Sequence, residues 1–149
     1  MIRSAPLPVK HDLETILGEA GAGGSSFKVF LAALEMAGVD ERLRRNGPFT
    51  LFVPTDDAFS NLAESTSEDW LRRQTKPKLR AILSYHVLQG RMLANEIIKS
   101  STVRTIQGSG LTIRFTKSRM YVNNALVLRA DIAWDNGVIH VLDTVVIPR

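Results

Sequence analysis

Apolar residues recur at helical spacing through the first half of the chain and in short alternating runs through the second half. Leu13, Ile16, Leu17 and Ala20 form one stripe behind Asp12, a residue type that accepts from the first amides of a helix. Gly21 to Gly24 interrupt it. Phe27, Phe30, Leu31, Leu34 and Ala37 make a second stripe, closed by Gly38, whose missing Cβ permits a left-handed helix end. A short turn around Leu43 stops at Asn46-Gly47. Phe49-Thr50-Leu51-Phe52-Val53 is then apolar on almost every position, the mark of a strand covered on both faces. Pro54 stops that strand, and Thr55 is placed to cap a helix with Asp56 and Asp57 in its first turn, where carboxylates complement the helix dipole.

Pro77 fits the first turn of a further helix, with Leu79, Ile82 and Leu83 as its buried face. It runs into Ser84-Tyr85-His86-Val87-Leu88, ended by Gln89-Gly90. After a brief helix over Asn95 to Lys99, the spacing predicts strands at Thr102–Ile106, Leu111–Thr116, Met120–Val122 and Ala125–Leu128. Their short connections imply antiparallel hairpins. Asp135-Asn136-Gly137 is the sharpest hairpin signal, and it feeds the apolar run Val138-Ile139-His140-Val141-Leu142. Helices first and strands later indicate an α+β fold, with helices on one side of an antiparallel sheet. The two apolar stretches are expected to lie together at its centre.

Composition narrows the classes. The 149 residues suit one core, expected over residues 11–149 behind a flexible arm of residues 1–10. There is no cysteine, so neither a disulfide framework nor thiolate chemistry is available. No apolar run approaches the roughly 20 residues of a membrane-spanning helix, and the first ten residues lack the apolar centre of a signal peptide. Membrane insertion by this chain is therefore not expected. The net charge of +4 leans toward anionic partners. No nucleic-acid-binding motif accompanies it, so nucleic acid is not an expected partner.

Gly47-Pro48-Phe49-Thr50-Leu51-Phe52-Val53-Pro54-Thr55-Asp56-Asp57-Ala58-Phe59 closely resembles the first signature of the fasciclin domain. Asn136-Gly137-Val138-Ile139-His140-Val141-Leu142-Asp143-Thr144-Val145-Val146-Ile147-Pro148 resembles its second. Leu83-Ser84-Tyr85-His86-Val87 and Ala130-Asp131-Ile132 match further family segments between them, so the resemblance covers roughly residues 10 to 149. It implies a single-domain, bacterial fasciclin-like protein. The implied fold is a wedge-shaped β-sandwich of two small, mainly antiparallel sheets with several helices packed along it. The implied role is a non-enzymatic, extracytoplasmic adhesion module, secreted, periplasmic or on the cell surface, with no cofactor. Its partners would be a cell-surface or matrix protein or polysaccharide, with weak self-association as a further mode. One copy cannot bridge two surfaces without a second face or oligomerisation.

Four residues carry the adhesion expectation through this resemblance: Tyr85 and His86, and Asp131 and Ile132. An exposed Asp131 carboxylate could complete a receptor's metal coordination. The competing reading is structural: Tyr85 packs its ring inside while its hydroxyl finds a partner, His86 holds a loop, Ile132 is core and Asp131 closes a turn. His140, between Ile139 and Val141, reads as a satisfied histidine rather than a ligand. Arg72, Arg73, Lys76, Lys78 and Arg80, around Trp70, form the densest positive run and are candidates for an anionic ligand. No nucleophile motif or metal-ligand spacing is present, so no catalytic or metal residue is assigned. An enzyme would have to be built from Asp56, Asp57, His86 or Asp131, and a self-associating structural module is the remaining alternative.

Overall fold

The computed structural model describes residues 27–39, 43, 48–62, 75–134 and 137–146. The expected arm and first helix, Trp70, Arg72, Arg73, and the Asp135-Asn136 pair lie outside them. β1 (Phe49–Pro54) is buried at every position because each of its faces meets a separate apolar cluster. Phe49, Leu51 and Val53 point into one cluster, and Phe52 points into another. This follows from the two-residue period of a strand.

Helices cover the first face. α1 (Lys28–Ala37) buries Phe30, Ala33, Leu34 and Ala37, a stripe at helical spacing, and ends on the left-handed Gly38. α2 (Asp56–Leu62) follows β1 directly, and the Thr55 hydroxyl accepts from Ala58 N–H at 3.2 Å, as the capping reading expects. Asp56 reaches further: its Oδ1 accepts from Val29 N–H at 2.8 Å, in the first turn of α1. α3 (Lys76–Ser84) has Thr75 as its N-cap and Pro77 in its first turn, and buries Leu79, Ile82 and Leu83. α4 (Ala94–Ile97) is a single turn.

The remaining strands are β2 (Val87–Gln89), β3 (Thr102–Arg104), β4 (Gly110–Thr116), β5 (Arg119–Val122), β6 (Ala125–Trp134) and β7 (Gly137–Leu142). β7 is buried throughout and lies parallel to β1, from Phe49 opposite Gly137 to Pro54 opposite Leu142. The two central stretches are thus neighbours. Their pairing is parallel, which the run of short hairpins did not announce.

The hydrogen-bonded order is β2-β1-β7-β6-β5-β4-β3, with every pair antiparallel except β1–β7. This corrects the expectation of two small sheets. β6 is ten residues long and pairs with both β7 and β5, so it carries one ladder across the point where two sheets would part. Register shifts at Val127/Arg129 and Arg129/Ile132 bend it there. The order curls back on itself: Ile106 N–H donates to Val87 O at 2.9 Å, tying the chain just past β3 to β2. The seven strands approach a barrel, filled by Leu88, Leu111, Ile113, Met120, Val122 and Leu142 around Phe52. The α+β assignment stands.

A candidate binding surface anchored by a buried histidine

Tyr85 and His86 sit where α3 gives way to β2. Tyr85 is 5% exposed and His86 1%, so neither ring meets solvent. The Tyr85 hydroxyl donates to Gly110 O at 2.9 Å and accepts from Asn123 Nδ2 at 3.1 Å, stitching α3 to the β4–β5 hairpin. His86 Nδ1 lies 2.8 Å from Ile82 O, and its Nε2 accepts from Val146 N–H at 3.2 Å. A carbonyl can only accept and an amide N–H can only donate. The partners therefore require a neutral ring with its proton on Nδ1. Burial lowers the His86 pKa to about 4, against a smaller raising effect of the Ile82 carbonyl.

His140 repeats the device with the opposite tautomer. It is fully buried beside the Phe52 ring, 5.6 Å between centroids. Its Nε2–H donates to Met92 O at 2.9 Å, and its Nδ1 accepts from Asp131 N–H at 3.2 Å. Burial lowers its pKa as well, opposed by the Met92 carbonyl and the Asp131 carboxylate.

The His140 and Asp131 contacts converge on the loop of residues 90–94. Gly90 N–H donates to Pro48 O, and Gly90 O accepts from the Thr50 hydroxyl at 2.7 Å. Met92 N–H donates to the same hydroxyl at 2.8 Å, Met92 O receives His140, and Ala94 N–H donates to Asp131 Oδ1 at 2.8 Å. The loop is thus anchored from β1, β6 and β7. It shows solvent the Arg91 side chain and Leu93, 39% exposed, with Ile98 just beyond α4 at 37%. Asp131 stands beside α4 with 46% of its side chain exposed and a φ of 62°, at the bulge in β6. Ile132 is half-buried against the helix-side core.

Tyr85 and His86 do not converge with Asp131 and Ile132, because the β1–β7 pair stands between them in the strand order. Thr50 and His140 are the residues that join the site. Thr50 carried a signal: a hydroxyl in a strand apolar on both faces needs a buried partner.

Of the basic run, Lys76 and Lys78 are exposed, while Arg80 gives Nε and Nη2 to Ala37 O at 3.2 and 3.0 Å, capping α1. Lys76, Arg80, Ser84 and Gln107 line an open groove of about 410 Å³. Among the described residues no group of three or more His, Asp or Glu is placed to hold a metal ion. None of their helices is long and apolar enough to cross a membrane.

The model of the fasciclin domain family matches residues 25–148. A protein of Synechocystis sp. is 41% identical over 130 residues, 87% of this chain and 72% of its own length. A cell surface glycolipoprotein of Mycobacterium bovis is 34% identical over 102 residues, 68% of this chain and 44% of its own length. A solved domain pair from the insect cell adhesion molecule Fasciclin I matches the fold with a TM-score of 0.66 at 18% identity. That match covers 82% of this chain and 47% of the pair, so this chain spans less than half of the last two proteins.

Proposed function

This chain belongs to the fasciclin domain family, and from that premise we propose that it is a non-enzymatic, extracytoplasmic binding module that engages a cell-surface or matrix component. The observation that carries the reading is the rigid loop of residues 90–94, which holds an exposed apolar and charged patch on a fixed frame. Leu93 and Ile98 supply apolar area, and Arg91 and Asp131 supply charge of both signs beside it. This is the makeup of a small recognition surface. Asp131 Oδ1 is held by Ala94 N–H, so its other oxygen is available to a partner's cation or amide. Tyr85 and His86 hold Gly110, Asn123, Ile82 and Val146 instead, and so do not reach this surface. The cell surface location of the Mycobacterium relative favours an exported role.

An enzyme finds less support. Asp56 caps α1, His86 is committed to two backbone groups, and Asp131 holds α4, so these groups serve separate elements.

The test is adhesion of cells and of matrix proteins and polysaccharides to immobilised protein. Arg91→Glu, Leu93→Asp and Asp131→Asn are compared with the parent, and Asp131→Asn keeps both the acceptor and tolerance of a positive φ. Weaker binding by all three, with unchanged melting temperatures, is expected. Parental binding by all three, or self-association as the only interaction detected, would overturn the reading.

A further inference from the structure

We propose that the outer face of the β3–β4–β5 ribbon is a second binding surface, which takes an acidic polysaccharide. This deepens the binding-module reading and rests on it.

Charge along the chain is uneven. Six of the 19 basic residues and none of the 15 acidic ones lie between Glu96 and Asp131, leaving 13 basic against 15 acidic elsewhere. Strand alternation sorts that stretch by face. Val103, Leu111, Ile113, Met120 and Val122 point into the barrel. Their neighbours point out, and the register brings them together: Arg104 opposite Gly110, Arg114 opposite Tyr121, and Arg119 opposite Thr116. Lys117 stands at the hairpin turn. Arg104, Arg114, Lys117 and Arg119 are exposed, and none of them forms an ion pair among the described residues.

The geometry suits a linear polymer. At about 3.4 Å per strand residue, the row from Arg104 to Arg119 runs about 20 Å, too long for one small anion. The Arg114 guanidinium lies 4.8 Å from the centre of the Tyr121 ring. That stacking holds it flat on the face before a ligand arrives and reduces the ordering cost of binding. Thr102, Thr112 and Thr116 stand exposed on the same face, between the charges, and can exchange hydrogen bonds with sugar hydroxyls. A membrane surface would want an apolar wedge on this face, and single-stranded nucleic acid would want several open aromatic rings. The outer face offers neither: Phe115 is 53% exposed but has the inward parity and so stands on the other side of the ribbon, and Tyr121 is already covered by Arg114.

The experiment titrates the whole protein with alginate and with heparin. Phosphatidylglycerol vesicles and duplex DNA serve as competing anions, and cell adhesion is measured in parallel. In Arg104→Glu/Arg114→Glu/Arg119→Glu, polysaccharide affinity is expected to fall about tenfold or more, while Lys76→Glu/Lys78→Glu leaves it unchanged. If the reversal does not fold, judged by thermal melting, the Arg→Gln triple takes its place. Loss in the Lys76/Lys78 variant alone, or binding only to vesicles or DNA, would overturn the assignment. Adhesion to cells without polysaccharide binding would overturn this face and leave the binding-module reading standing. Absence of both would remove both.

Discussion

His86 and His140 each sit between one backbone carbonyl and one backbone N–H, so each ring is useful only while neutral. For His86 the sign is settled by comparing the two states. Its folded pKa is about 4, below the unfolded value near 6.5, so the unfolded chain takes up the proton first. The stabilisation is complete above pH 6.5, is lost as pH falls through that window, and levels off below about 4. The full span is about 3 kcal/mol, with about 2 kcal/mol gone by pH 5. His140 is shifted in the same direction and adds to the slope. Urea unfolding at pH 7.5, 6 and 5 should show this loss, and His86→Gln should flatten it while lowering stability at pH 7.5. Equal midpoints at pH 7.5 and 5 in the parent would refute the account. These roles are partly legible: at a helix–strand junction Tyr85 reads as packing its ring inside with its hydroxyl partnered and His86 as holding a nearby loop, while Asp131 reads as closing a turn. Their partners were not legible, since Val146, Met92 and Ala94 lie tens of residues away.

At the scale of elements, the parallel contact of β1 with β7 imposes a demand on one residue. A Cβ on Gly137 would overlap the backbone carbonyl of Phe49, and a strand buried on both faces cannot move aside. Gly137→Ala is expected to cost about 3 kcal/mol, seen as a lower urea midpoint. A variant as stable as the parent would mean that β1 and β7 lie farther apart than described. Gly137 was readable as part of a turn signal, but its closeness to Phe49 was not, because a turn motif reports the chain's own path and not what packs over it. The same limit explains β6. Its first four residues, Ala125 to Leu128, are all apolar and were expected as a strand. Its continuation through Arg129, Ala130 and Asp131 breaks the apolar run where the register shifts, so the pattern ends while the strand does not.

Across the whole molecule, the β1–β7 pair divides two cores, with helices on one side and the barrel interior on the other. Each core alone is small, and both depend on this shared wall, so its amides should open only when the whole fold does. The seam of the barrel is different. The chain past β3 meets β2 through Ile106 N–H to Val87 O, beside a three-residue strand at either end of the order. Opening there exposes little apolar area and should need far less free energy than global unfolding. Native-state amide exchange is therefore expected to show Ile106 exchanging well ahead of Leu51, Phe52, Ile139 and Val141. Protection of the Ile106 amide equal to theirs would mean that the strands form one closed cooperative unit. A seam that opens alone leaves the loop of residues 90–94 fixed, because its anchors come from β1, β6 and β7 and none comes from β3.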